Sequence, residues 1–275
     1  MPETRLIDSC HLGLDRVIGV YERDGVLIDP GPSSSIDTVL EQLERPPRAL
    51  LLTHIHLDHA GASGTLVERF PEIVVHVHEV GAPHLVDPER LLKSAGRLYE
   101  DMDALWGPVL PVPESAIRIV GDGDVAEGLA VLETPGHASH HVSYLDPDTG
   151  DAFVGDVGGV RIPPSDRILA PTPPPEIDLA TWRRSLAALR DRDPARLLLT
   201  HFGPIDDAAA QLDRIEAELG RISELARGAT REPFLAAYEA EIGREEDGVA
   251  ARMREAVPPE HVWLGLERYW SKQDA

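Results

Sequence analysis

The sequence predicts an α+β protein: two mixed β-sheets with helices outside them, followed by a helical extension. Three observations predict it. Short apolar runs bounded by Gly, Pro and Asp alternate with segments of helical spacing, and the alternation occurs once in each half of the chain. From Ile205 onward only helical spacing remains. The 275 residues, 42% of them hydrophobic, suffice for one large core, with or without a smaller appendage.

The elements follow in order. VIGVY (17–21) and GVLIDPG (25–31) read as two short strands around a turn, the second ended by Asp-Pro-Gly. SIDTVLEQLE (35–44) has helical spacing, with Ser35 as a candidate N-cap. RALLLT (48–53) suits a buried strand. SGTLVERF (63–70) reads as a helix and IVVHV (73–77) as a strand, and 79–106 reads as helical. In the second half AIRIV (116–120), LAVLET (129–134), HVSYLD (141–146) and DAFVGD (151–156) are strand-like. A proline-rich loop spans 157–176, DLATWRRSLAALRDR (178–192) is helical, and RLLLT (196–200) is a strand.

Charge and composition narrow the function classes. Against 26 Lys and Arg stand 48 Asp and Glu, a net charge of −22, which disfavours a nucleic-acid backbone as partner. No apolar run is long enough for a membrane span, and MPETRLIDSC lacks the basic start and apolar core of a signal peptide. The single cysteine, Cys10, excludes an internal disulfide framework; together these fit a cytoplasmic protein acting on a small molecule.

The chemistry is concentrated in LLLTHIHLDHAGA (50–62). His54 and His56 are two apart and share a side in extended chain, Asp58 continues the alternation, and His59 follows at the turn. Imidazoles with a carboxylate suit zinc, iron or manganese, and without neighbouring cysteines an open catalytic site is the better reading than a closed structural one. These residues cannot easily serve one ion alone. LETPGHASHH adds His137, FVGDVGG adds Asp156 and LLLTHFGP adds His201, each at a strand's C-terminal end where loops converge. Taken alone, HxHxDH is also compatible with a His-rich surface turn; three further ligand types in this order argue against that.

HxHxDH, a TPGH histidine, an aspartate in a GD segment and a last histidine after an apolar strand resemble the metallo-β-lactamase fold superfamily. TPGH followed by His141 is most similar to glyoxalase II-type hydrolases and related thioesterases and lactonases. The resemblance covers roughly residues 5–205. It implies a four-layer αββα sandwich over 1–204, leaving 205–275 as a C-terminal helical extension. It also implies two divalent metal ions, zinc first with iron or manganese as alternatives. His54, His56 and His137 would hold the first, Asp58, His59 and His201 the second, and Asp156 would bridge them. Two such ions about 3.5–4 Å apart share a water and lower its pKa, giving a hydroxide that attacks an ester, thioester or lactone carbonyl. Asp58 would orient or relay the proton and is the candidate catalytic residue.

Within the enzymes, the rival is an iron-dependent redox member. The oxygen-reducing branch is disfavoured because His56 stands where that branch carries Glu and no flavin domain is visible. A mononuclear iron persulfide dioxygenase keeps much of the motif and is the alternative. Ribonuclease members carry a larger inserted domain that this acidic chain lacks, and a non-enzymatic scaffold would lack ligands. Asp156 stands where the best-known β-lactamases place a cysteine, which disfavours antibiotic hydrolysis.

Other residues carry lesser expectations. Asp29 in LIDPG resembles a position that buttresses the metal loop, besides being a turn former. Gly61, Gly136 and Gly155 are expected at tight turns or close packing. His76, His78, His140 and His141 read as supporting or packing residues, His84 as a residue near the substrate side, and His11 and His261 show no partner. Tyr99 and Trp106 are read as aromatic packing that could border the substrate. Arg221, Arg227 and Arg231 form no pattern for glutathione. The apolar stripes of the extension are expected to pack on the core, with a pocket cover or a homodimer as the other outcomes.

Overall fold

Short, largely buried strands build two sheets in this computed structural model, which describes residues 3–273. The first sheet contains β1 (Thr4–Asp8), β2 (Gly19–Arg23), β3 (Val26–Ile28), β4 (Ala49–Leu51), β5 (Val74–His78) and β6 (Ile117–Val120), in that spatial order. The pairs β1–β2 and β2–β3 are antiparallel, and β3 to β6 run parallel. The parallel strands β3 and β4 are buried on both faces, as continuous apolar sequence requires.

Helices bridge these strands: α1 (Ile36–Leu40), α2 (Leu57–Ala60), α3 (Ser63–Arg69), α4 (Ala82–Val86), α5 (Glu89–Ala95) and α6 (Met102–Trp106). The second sheet contains β7 (Val125–Ala126), β8 (Leu129–Glu133), β9 (Val142–Leu145), β10 (Asp151–Phe153), β11 (Arg196–Leu199) and β12 (Gly203–Ile205). It is antiparallel except for the β10–β11 pair, which α7 (Leu179–Asp191) connects as a parallel crossover. Then follow α8 (Ala208–Ala226), α9 (Arg231–Ile242), α10 (Asp247–Ala256) and α11 (Pro259–Gln273).

The buried residues divide into three layers of core. Val26, Ile28 and Leu51 of one sheet meet Val131, Tyr144 and Phe153 of the other between the sheets. Leu27, Leu50 and Val75 point the opposite way, toward Val39 and Leu66 of α1 and α3. Ala152, Leu197 and Leu199 face outward from the second sheet onto Trp182, Ile215 and Phe234. The expected αββα sandwich is therefore present, and its outermost layer continues through the C-terminal helices.

Several elements differ from the sequence expectation. Three strands, β1, β7 and β12, had no counterpart in it, because they are edge or short strands with weak apolar alternation. The helix expected over 35–44 stops at Leu40, and the stretch 79–106 breaks into α4, α5 and α6. Pro83 and Pro88 start new turns there instead of continuing one helix. α11 lies directly on the proline-rich loop: a Cβ on Gly265 would stand 1.8 Å from the Thr172 carbonyl oxygen. No helix among the described residues is long and apolar enough to cross a membrane.

Candidate metal centre

Each of the seven side chains follows a strand or starts a short helix beyond one. His54 lies just past β4, and His56 precedes α2, whose first turn carries Asp58 and His59. His137 lies in the loop after β8, Asp156 in the 3-10 turn after β10, and His201 just past β11. The loops converge, and the side chains form two groups: His54, His56, His137 and Asp156; and Asp58, His59 and His201. Within each group all donor atoms lie within 4.8 Å of one another. Five of the seven are buried, whereas His56 is partly open and Asp58 keeps 22% of its side chain open.

The hydrogen bonds behind the ring fix which nitrogens face inward. His137 Nδ1 donates to the Pro171 carbonyl at 2.8 Å, and His201 Nδ1 donates to the Val17 carbonyl at 2.6 Å. His59 Nδ1 donates to Asp29 Oδ2 at 2.8 Å. The Thr53 hydroxyl donates to the same oxygen at 2.7 Å, so it can only accept from His54 Nδ1, 3.0 Å away. In the neutral rings four Nε2 atoms therefore carry the lone pairs, with the hydrogens on the Nδ1 side. Three nitrogens converge in the first group, His54 Nε2 and His137 Nε2 approaching His56 Nδ1 at 3.0 and 2.9 Å.

Asp156 stands between the groups with one oxygen turned to each. Its Oδ2 is 3.3 Å from His137 Nε2, and its Oδ1 is 3.1 Å from His59 Nε2 and 3.4 Å from His201 Nε2. The short approach of Oδ1 is badly aligned, so this buried oxygen has no hydrogen-bond partner. Buried lone pairs that face one another without enough protons are what a cation pair requires, and the donor set of imidazoles and carboxylates fits divalent zinc, iron or manganese.

Electrostatics separates the two groups. Burial, with neighbouring His59 and His56, pushes His54 well below the usual imidazole range; burial and His137 push His56 to about 3. Burial also lowers His137, against the pull of Asp156. In the second group burial works the same way but loses: Asp156, Asp58 and Asp29 hold His59 well above its usual range, and Asp156 and Asp58 raise His201. Burial would raise the Asp58 and Asp156 carboxyls, yet the histidines hold both below the usual carboxylate range. Asp58 and Asp156 are therefore ionised acceptors at neutral pH.

A support layer holds this geometry. Asp29, with a left-handed φ of 51°, accepts from the Thr53 amide, the Thr53 and Thr200 hydroxyls and His59. Gly155 has φ 45°, and a Cβ there would stand 2.5 Å from Thr53 Oγ1. His141 donates or accepts at Thr134 Oγ1 and stacks on His54, and His140 Nε2 accepts from the Ile55 amide. Thr53 and Thr200 had no place in the sequence reading. Their signal was only their position before the ligands His54 and His201.

A cavity of about 240 Å³ opens from His56, Asp58, His137 and Asp156. Tyr99 and His261 line it, whereas Trp106 is buried behind Tyr99 and stacks on His11 with ring centroids 5.4 Å apart. His11 and His261 thus have aromatic partners that sequence did not show. His84 and His140 also line the cavity. His76 and His78 instead face Glu127 and Glu133 on the sheet, away from the seven residues. Arg221 pairs with Glu218 and Glu241, Arg231 with Glu260, and Arg227 covers Trp270; none of the three lines the cavity.

Known proteins are similar to this chain in sequence and in fold. The family model described as the metallo-beta-lactamase superfamily matches residues 17–201. The uncharacterised protein YobT of Bacillus subtilis is 28% identical over 193 residues, covering 66% of this chain and 79% of that protein. The hydroxyacylglutathione hydrolase of Vibrio cholerae is 31% identical over 140 residues, covering 50% of this chain and 43% of the enzyme. This chain therefore matches less than half of that enzyme's length. The archaeal metallo-beta-lactamase superfamily protein ST1585 superposes with a TM-score of 0.71 at 22% identity, over 98% of this chain and 99% of its own. TTHA1623, solved in a di-iron-bound form, superposes with a TM-score of 0.52 at 25% identity, over 78% of this chain and 91% of its own. The family match spans most of the chain and contains all seven converging side chains, so the protein belongs to the metallo-beta-lactamase superfamily.

Proposed function

We propose that the protein is a hydrolase that holds two divalent metal ions, zinc first, and cleaves an ester, thioester or lactone of a small molecule. The observation that supports this most directly is the tautomer set. Four buried histidines are tied from behind so that their Nε2 lone pairs face Asp156 or one another. His54, His56 and His137 would hold one ion, Asp58, His59 and His201 the other, and Asp156 would touch both through its two oxygens. When bound, such a pair supplies Lewis acidity, lowering the pKa of water and polarising a carbonyl oxygen.

The chain's own residues do the rest. Asp58 is ionised, and its Oδ2 faces His201 at 3.4 Å and His59 at 3.7 Å. Its second oxygen is left to take a proton from attacking water at the cavity floor. The buried Ile55 and Leu57 give that floor an apolar border. In this reading residues 1–204 carry the chemistry, and the extension 205–275 closes one side of the cavity through Ala256 to Val262.

Elemental analysis of protein purified without added metal tests the reading, beside Asp58→Ala and His201→Ala. About two ions per chain, near one in each variant, with thioester or lactone hydrolysis lost at least 100-fold, is the expected result. One iron per chain that both variants retain would overturn it and put persulfide oxidation first.

A further inference from the structure

The helix α5 has an unusual surface. Leu91 and Ala95, four residues apart, share one face of α5, and Leu98 follows in the turn after it, yet α5 contains no buried residue. That face turns into the cavity beside the metal centre. Across from it stand Val257 and Val262, at the junction of α10 and α11. The prolines at 171 and 173–175 close the third side, pinned from behind by α11 at Gly265. Three separate parts of the chain thus present aliphatic carbon to one space whose floor is His56, Asp58, His137 and Asp156.

The polar groups are as informative. Arg90 is the one Lys or Arg among the lining residues, and it is exposed at the rim with no ion-pair partner among the described residues. A substrate with several carboxylates would meet a single cation and the carboxylate of Glu176. An aliphatic chain would instead cover half-exposed leucines that water now wets, and each methylene buried adds to affinity.

We infer that this cleft holds the straight aliphatic chain of an acyl substrate, with the acyl carbonyl over the Asp58–Asp156 floor. The inference rests on the hydrolase reading for the reaction, but not for the binding. Leu91 and Leu98 set the preference for chain length, and a second large charged group such as a peptide thiol is not selected.

Calorimetric titration with straight-chain carboxylates from butyrate to decanoate tests the cleft without turnover. Affinity should rise about three- to fourfold per methylene and level off once the chain outgrows the cavity. Leu98→Asn should flatten the gradient, and Ala95→Trp, which fills the cleft from an exposed helix, should abolish binding of the longer acids. A chain-length dependence that is flat in the native protein, or that survives both variants, overturns the inference. The two readings fail separately. Acids that bind with the gradient to a metal-loaded protein that cleaves no acyl thioester sink the hydrolase and leave the cleft. Equal cleavage of acetyl and octanoyl thioesters with no gradient in acid binding sinks the cleft and leaves the hydrolase.

Discussion

Asp29 shows how one side chain sets the chemistry of several others. Its Oδ2 alone accepts from Thr53, His59 and Thr200. The amide of Asp29→Asn can keep one carbonyl acceptor, but its NH₂ must then oppose donors that have nowhere else to go. The variant should lower metal affinity about 10- to 100-fold, because His59 loses its orienting acceptor and His54 loses its tautomer lock. Competition with a chromogenic chelator reads this directly. Unchanged affinity would mean that Asp29 is only a turn former. The sequence made Asp29 visible as part of LIDPG, but nothing in it distinguishes a turn aspartate from one that holds two metal-loop residues.

Short elements carry much of the precision, and two of them can be probed. The N-cap of α7 is Asp178, whose side chain accepts from the Thr181 amide at 2.9 Å. Burial alone would raise its pKa, but the Thr181 and Ala180 amides outweigh it and hold the carboxyl below the usual value. A depressed folded pKa means stability that is present above the unfolded value near 3.9 and is lost as pH falls through the folded one. Asp178→Asn keeps a capping oxygen without the charge. The native protein should be the more stable of the two at pH 7, and the gap should shrink and close as the pH falls through the depressed carboxyl pKa, below the ordinary carboxylate range, in urea denaturation. A gap that stays constant with pH would contradict the capping charge. At the other end of the fold, Gly265→Ala places a methyl group against the Thr172 carbonyl. α11 must then lift from the proline-rich loop, costing about 1–3 kcal/mol in denaturant unfolding. Because this loop walls the cavity, KM should rise more than kcat falls; an unchanged KM would show that the loop does not shape the substrate site.

At the scale of the whole molecule the outer face of the second sheet depends on the C-terminal helices. Leu197 and Leu199 of β11 share one buried cluster with Phe234, Tyr238, Met253 and Leu266. A chain ended after residue 204 would expose this face, so it should bind a hydrophobic dye and lose cooperative thermal unfolding. Sharp unfolding of the shortened chain would show that the helices are dispensable for folding. The sequence made the ligands legible because metal chemistry demands particular residue types, which the chain places in compact motifs at strand ends. His54, Asp156 and His201 needed only that logic, and so did the alternation of strands and helices. Three things required the tertiary structure: the edge strands β1, β7 and β12, the division of 79–106 into three helices, and the cleft between α5 and α11. Edge pairing, helix breaks within an amphipathic stretch and the apolar face left to a cavity depend on neighbours far away in the chain, and local spacing does not encode them. The residues determined by themselves which atoms can hold a cation; packing decided which nitrogens face inward, because the hydrogen-bond acceptors that set the tautomers come from Asp29, Thr53, Val17 and Pro171 in four separate segments.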